Sequence, residues 1–223
     1  MKKILSDRYF LGRKCIYCSS NKLYRLKDKR IKCKQYEKKY SLTQLKKEML
    51  ILYYFYLELS ASKTADELDI DYGVVHRKFM QFRKRIAEYC NQEAKKLNGE
   101  LEIDESYFGG RRKGKVHTKI VENVSAEILM NEIKNKTEKG SVFYTDGWKS
   151  YKSLHQFGKH NIIRHDKDEF AKAKNHINGI EGFWSFAKER FYKYHGINKN
   201  NYPFYLKEME FRFNHRNESI FNL

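Results

Sequence analysis

Leu101-Glu102-Ile103-Asp104-Glu105-Ser106-Tyr107-Phe108 decides how the second half of this chain is read. From Glu100 to Phe108 apolar and polar residues alternate, the period of a strand with one buried face. An Asp falls in the middle of that run, where Asp is depleted and where a buried carboxylate without a partner is costly. A metal ion is the usual remedy. Glu105, one position on, points to the opposite face as a surface or supporting residue.

Two segments downstream supply further carboxylates. Ser141 to Thr145 is a short apolar strand followed by Asp146-Gly147, so an acid stands at a strand's carboxyl end, where open α/β sheets place their sites. Asp-Gly is by itself only a turn signal. The third segment, Asn178 to Lys188, is helical by its steps of three and four: Asn178, Glu181, Ser185 and Lys188 form one stripe, while Ile180, Phe183, Trp184, Ala187 and Phe191 form the apolar face that packs on a sheet. Glu181 is then oriented inward, toward the sheet's edge.

Upstream, Ser62 to Leu68 reads as a short helix, Asp69-Ile70-Asp71 as a turn, and Tyr72 to Tyr89 as a longer helix with Val75, Phe79, Phe82 and Ile86 toward a core. This is helix-turn-helix punctuation. The second helix would offer Tyr72, His76, Arg77, Arg83 and Lys84 to a groove or to phosphates. Nearer the N-terminus, Cys15-x-x-Cys18, a strand-like run Lys22 to Leu26, a turn at Lys27-Asp28-Lys29 and Cys33 have the layout of a zinc ribbon. Structural zinc takes four ligands, and the position three after Cys33 is Tyr36. The sequence leaves two readings open, a zinc site on Cys15, Cys18 and Cys33 that lacks a fourth protein ligand, or a basic hairpin held by packing.

The formal net charge of +18, with 14 Lys or Arg against 3 Asp or Glu in the first forty residues, makes a polyanion the natural partner. Lys2-Lys3 is followed by only Ile4-Leu5 before Ser6-Asp7-Arg8 ends the apolar run, so no secretory signal is expected. The most apolar stretch, Met49 to Leu59, is about half a membrane span and reads as a buried helix. Four cysteines without an export signal favour metal ligation or free thiols over disulfides.

The segments Glu102-Ile103-Asp104-Glu105-Ser106-Tyr107-Phe108-Gly109-Gly110-Arg111-Arg112-Lys113, Tyr144-Thr145-Asp146-Gly147-Trp148, His176-Ile177-Asn178-Gly179-Ile180-Glu181-Gly182-Phe183-Trp184 and Phe211-Arg212-Phe213-Asn214-His215-Arg216 together resemble the ISXO2-like group of bacterial insertion-sequence DDE transposases. The resemblance implies an α+β chain of three modules: a zinc-ribbon-like hairpin (1–42), a helix-turn-helix module (43–98) and a ribonuclease-H-like catalytic domain (99–223). It implies Asp104, Asp146 and Glu181 as the catalytic ligands of two Mg²⁺ ions, or Mn²⁺ in their place, which clamp the attacking and leaving oxygens of a phosphoryl displacement. Arg111, Arg112, Lys113 and Lys188, with the helix residues above, are its expected DNA contacts. DNA is the implied partner, as terminal inverted repeats and as target. A homo-oligomer on two DNA ends, a place at the nucleoid in the cytoplasm and no membrane follow from the same likeness.

One departure stands out. A ribonuclease-H-like sheet begins with three antiparallel strands, then a helix and a fourth strand parallel to the first. Between Phe108 and a helix from Ala126 to Asn135 the spacing leaves room for one strand, Val116 to Val124, reached through Gly109 to Lys115. Seven residues cannot join adjacent parallel strands. The expectation is therefore an internally deleted copy that lacks its second strand and whose catalysis is weakened or lost; a looser connection is the competing account. Two other functions fit parts of the chain, a non-catalytic DNA-binding regulator using residues 1–98 and a nuclease of the same sheet class.

Overall fold

Three short antiparallel strands, β1 (Leu23–Arg25), β2 (Ile31–Cys33) and β3 (Lys39–Tyr40), form a sheet in that order. Ile31, Cys33 and Tyr40 are its buried side chains. The computed structural model describes residues 15, 18, 20–28, 30–92, 96–104, 107–110, 115–121, 125–145, 149–162, 178–194 and 196–218, of which 42, 104, 107–110 and 178 are described in backbone alone. Contacts divide the chain into two units, Met1–Phe79 and Met80–Leu223.

In the first unit the sheet is followed by α1 (Leu42–Tyr56), α2 (Ala61–Leu68) and the start of α3 (Tyr72–Gln92). The stop and start signals are local. Ser60 accepts the Lys63 N–H at 3.1 Å to open α2, Asp69 closes it in the left-handed region at φ 50°, and Asp71 accepts the Val74 N–H at 3.1 Å to open α3. Short polar side chains are favoured at all three kinds of position. Ala65, Val75 and Phe79 are buried, and the Phe55 and Phe79 rings meet edge-on at 5.0 Å. The apolar run Met49 to Leu59 is not a fully buried helix: Ile51 and Phe55 are buried, whereas Leu52 and Leu57 are each 44% exposed.

The second unit overturns the missing strand. What alternation reads as one strand from Glu100 to Phe108 is two, β4 (Glu100–Asp104) and β5 (Tyr107–Gly110). They pair antiparallel, with Asp104 opposite Tyr107 and Leu101 opposite Gly110. Only Glu105 and Ser106 lie between them, and both fall outside the described residues. The reversal carries none of the Asn-Gly or Asp-Gly chemistry that marks most two-residue hairpins, so periodicity runs through it unbroken. The Gly109-Gly110 pair, a loop signal by composition, sits inside β5 instead and pairs on both sides, with Glu102 and Leu101 in β4 and with Val116 and Lys115 in the strand that follows.

With β6 (Lys115–Thr118), β7 (Val142–Thr145) and β8 (Lys159–Ile162), the strands lie in the order β6-β5-β4-β7-β8. The first three in sequence are antiparallel, and α4 (Ala126–Lys136) then leads to β7, parallel to β4, with β8 parallel to β7. Asp104 is thus the last residue of its strand, not a mid-strand residue.

Both faces of this sheet are covered. On one, Leu101 and Ile103 of β4 and Phe143 of β7 pack with Leu129 and Ile133 of α4 and with Tyr151 and Leu154 of a 3₁₀ turn, Lys149–Gln156. On the other, Val116 packs with Ile180, Phe183 and Ala187 of α5 (Asn178–Phe191) and with Leu206 and Met209 of α6 (Tyr202–Asn214). Each large apolar side chain so buried contributes about 2 kcal/mol before the entropy of ordering it is counted. Helix α6 also covers the sheet's β6 edge: Asn214 bonds both the N–H and the carbonyl of Val116, at 2.6 and 2.8 Å, and Glu210 accepts from the N–H and hydroxyl of Thr118 at 2.8 and 2.6 Å. An edge strand's unpaired backbone groups are thereby satisfied by side chains.

Arg83 does not face a groove. Its guanidinium is 2% exposed, bonded to Glu208 at 2.7 Å and stacked 3.8 Å over the Tyr205 ring. Glu208 also takes Arg212 at 2.9 Å. A charge at this depth needs such a partner, and the pairing with a residue 125 positions on could not be read from the local helix pattern.

Candidate functional site

Parallel β4 and β7 are hydrogen-bonded neighbours in the register Glu100↔Val142, Leu101↔Phe143, Glu102↔Tyr144, so their carboxyl ends lie at the same edge of the sheet. Asp104 ends β4, and Thr145, the residue before Asp146, ends β7. Asp146 itself lies outside the described residues, as do Arg111, Arg112 and Lys113. Beneath this edge Thr145 is fully buried and its hydroxyl meets His160 Nε2 at 2.9 Å. Burial, and then the neighbouring His155, hold the His160 imidazole below its ordinary pKa.

Glu181 lies in the first turn of α5. The apolar face of the helix is the one that the spacing predicts, with Ile180, Phe183 and Ala187 buried, but Glu181 is not turned inward: it is exposed with Ser185 and Lys188 along the opposite stripe. What anchors its first turn is Glu102, a residue that the sequence reading passed over. Glu102 is 2% exposed, and its Oε2 accepts the Ile180 N–H at 3.0 Å. Gly179 makes room for it, since a Cβ there would stand 2.9 Å from the same oxygen. The first N–H groups of any helix lack intrahelical acceptors and favour negative charge, so a buried carboxylate from the neighbouring strand suits this end. The available signal was an acid on the same strand face as Asp104, two residues earlier.

The model of the ISXO2-like transposase domain matches residues 111–214. A protein of Haemophilus influenzae named as an uncharacterized transposase-like protein is 42% identical over 104 residues, which is 46% of this chain and 83% of that protein. This chain belongs to the ISXO2-like transposases. The family match takes in Asp146, Glu181, Lys188 and Asn214 and begins after Asp104, so the likeness of residues 1–110 rests on their own motifs.

In the N-terminal unit of this transposase the sulfurs of Cys15, Cys18 and Cys33 lie within 4.8 Å of one another. Cys15 and Cys33 are buried, the Cys18 and Cys33 sulfurs are 3.6 Å apart, and the Tyr36 N–H donates to Cys33 Sγ at 3.4 Å. Sulfurs this close, with a backbone donor aimed at one of them, suit a divalent ion such as zinc, which cysteines ligate as thiolates. Tyr36 is 45% exposed, and among the described residues no fourth ligand joins the three.

Of the helix residues offered to DNA, Arg77 and Lys84 are exposed and His76 is half-buried. Tyr72 is 55% exposed and its ring stacks on His76 at 5.6 Å. Lys84 Nζ stands 5.7 Å from the Phe204 ring. None of the helices formed by the described residues is long and apolar enough to cross a membrane.

Proposed function

We propose that this ISXO2-like transposase binds the terminal inverted repeats of an insertion sequence and catalyses metal-dependent cleavage and transfer of DNA strands, with Asp104, Asp146 and Glu181 as its catalytic carboxylates. The observation that carries the reading is the pairing of parallel strands β4 and β7, which end at Asp104 and immediately before Asp146, beside a helix whose first turn bears Glu181 and is bonded to β4. Three antiparallel strands, a helix and a fourth strand parallel to the first support assignment of the catalytic domain to the ribonuclease-H-like class. With the second strand present, the ground for a deletion and for weakened catalysis falls away.

An all-oxygen donor set on two strand ends and a helix fits Mg²⁺ or Mn²⁺. When bound, such ions supply Lewis-acid stabilisation of the attacking and leaving oxygens at a phosphate. The chain's own part is to hold the carboxylates in place and, through Lys188, Arg111, Arg112 and Lys113, to hold the DNA backbone. Water is the first nucleophile and the freed 3′-OH the second, so no side chain need attack. In the N-terminal unit, Cys15, Cys18 and Cys33 would hold a zinc ion that stiffens the ribbon, and the helix pair with His76, Arg77 and Lys84 would read the repeats. Joining two ends implies at least a dimer on DNA.

The test is strand joining by the full-length chain on a duplex carrying the terminal repeats that flank its gene, in Mg²⁺. Joined product that is lost in each of Asp104→Ala, Asp146→Ala and Glu181→Ala, with repeat binding retained, supports the reading. Binding without any cleavage would make the chain a regulator, and nicked but unjoined product would make it a nuclease.

A further inference from the structure

Glu102 stands where the two halves of the proposed active site meet. It occupies the central strand of the sheet, between Gly109 and Tyr144, and shares the face of position 104, two residues and about 7 Å along the strand. Its carboxylate is buried and takes the N–H of Ile180, the residue before Glu181. Among the described residues, the atom nearest to a methyl at position 179, at 2.9 Å, belongs to the same carboxylate. Helix α5 also makes apolar contacts through Ile180, Phe183 and Ala187, which resist separation from the sheet but resist sliding and rotation weakly, since the hydrophobic effect is non-directional. The bond from the Ile180 N–H to Glu102 is directional and resists movement of the first turn along the helix axis.

We propose that Glu102 is a positioning residue for strand transfer, the clamp that sets where Glu181 stands relative to Asp104. This rests on the transposase reading of the site. Carboxylates sharing metal ions tolerate little displacement, and a shift of about 1 Å at a reacting centre costs on the order of 100-fold in rate. A buried acid placed only for stability would show none of that cost once the fold is kept.

Three variants of the full-length chain separate these roles. Glu102→Leu keeps the volume and removes the acceptor, Glu102→Gln keeps an acceptor oxygen, and Gly179→Ala adds the methyl that presses on Oε2 in a place where Ala otherwise favours the helix. Amide exchange at Ile180 reads the clamp directly, without any reaction: it should quicken about tenfold or more in the Leu and Ala variants and by less than about threefold in the Gln variant, as loss or retention of one bond requires. Mg²⁺-dependent joining on the flanking-repeat duplex should fall on the order of 10- to 100-fold in the Leu and Ala variants, with repeat affinity unchanged, and recover in the Gln variant. Joining by Glu102→Leu at the wild-type rate, or Gln no better than Leu, overturns the proposal. Should Glu102→Leu fail to fold, Gly179→Ala decides by the same two readings. A wild-type chain that binds repeats and joins nothing would instead sink the transposase reading, and the exchange rates would still tell whether the bond exists.

Discussion

Asn214 grips Val116 with both ends of its amide, accepting the Val116 N–H at 2.6 Å and donating to its carbonyl at 2.8 Å. The last residue of α6 thereby plays the part of a missing neighbour strand along the β6 edge. Glu210 does the same one turn earlier at Thr118. Asn214→Ala should cost about 2 to 3 kcal/mol, two bonds together with the backbone groups left bare, and should raise aggregation through the opened edge. Urea unfolding and light scattering of the variant against wild type check both.

Arg83 and Arg77 lie on one helix and should behave as opposites. Arg83→Ala takes one of two guanidinium partners from the buried Glu208 carboxylate, leaving Arg212, and is expected to cost about 3 kcal/mol of stability. Arg77 is exposed, so Arg77→Ala should leave stability within about 0.5 kcal/mol while weakening repeat binding and lowering its salt slope by about one. Thermal melts paired with salt-titrated binding make the comparison; a destabilised Arg77→Ala that binds normally would reverse both assignments.

Burial, and then the Glu208 charge, push the Tyr194 phenol up to about 12. The proton is held more tightly in the folded chain than in the unfolded one, whose phenol titrates near 10. The resulting stability, roughly 2 to 3 kcal/mol, is present below pH 10 and is lost as pH rises toward 12. Unfolding between pH 9.5 and 12 should therefore steepen in wild type relative to Tyr194→Phe.

At the acid end Glu210 is a buried contributor. Burial raises its carboxyl, but the hydrogen bond from His117 and the charges of Lys207 and His117 outweigh it and hold the pKa below the ordinary value of 4.5. A lowered carboxyl stabilises above its unfolded value and loses that contribution as pH falls through its folded one. Glu210→Gln is expected to flatten the stability profile below pH 4.5 and to lower stability at pH 7. A profile as steep as that of wild type would remove Glu210 as the cause.

For the cysteine cluster, metal analysis of the purified chain should find one zinc per chain, released in Cys33→Ser. Removal by a strong chelator should melt the β1-β2-β3 sheet by amide exchange and leave protection of Leu101 and Phe143 intact, because thiolate binding and local folding are coupled.

How much of this was legible beforehand follows from the range of each signal. The helix pair from Ala61 to Gln92 was readable because its punctuation is local, down to Ser60, Asp69 and Asp71. The two faces of α5 were readable for the same reason. The β4-β5 reversal was not, because alternation persists through Glu105-Ser106 and the glycines that usually announce a turn stand inside a strand. Arg83 and Glu102 were misjudged or passed over because their partners, Glu208 and Ile180, are 125 and 78 residues away, and a single sequence does not display such pairings. Asp104 was located, but at mid-strand, where the hairpin makes it a strand end.

The two-residue link between Asp104 and Tyr107 also makes a prediction about ancestry. Adding or removing one residue in so short a link shifts the register of β5 against β4, and a one-residue shift turns every side chain of the strand to the other face. Where copies of such an element diverge within a genome, length changes should be purged from this link. The spacing Asp104 to Tyr107 then serves as a ruler for telling a copy that has merely drifted from one that has died.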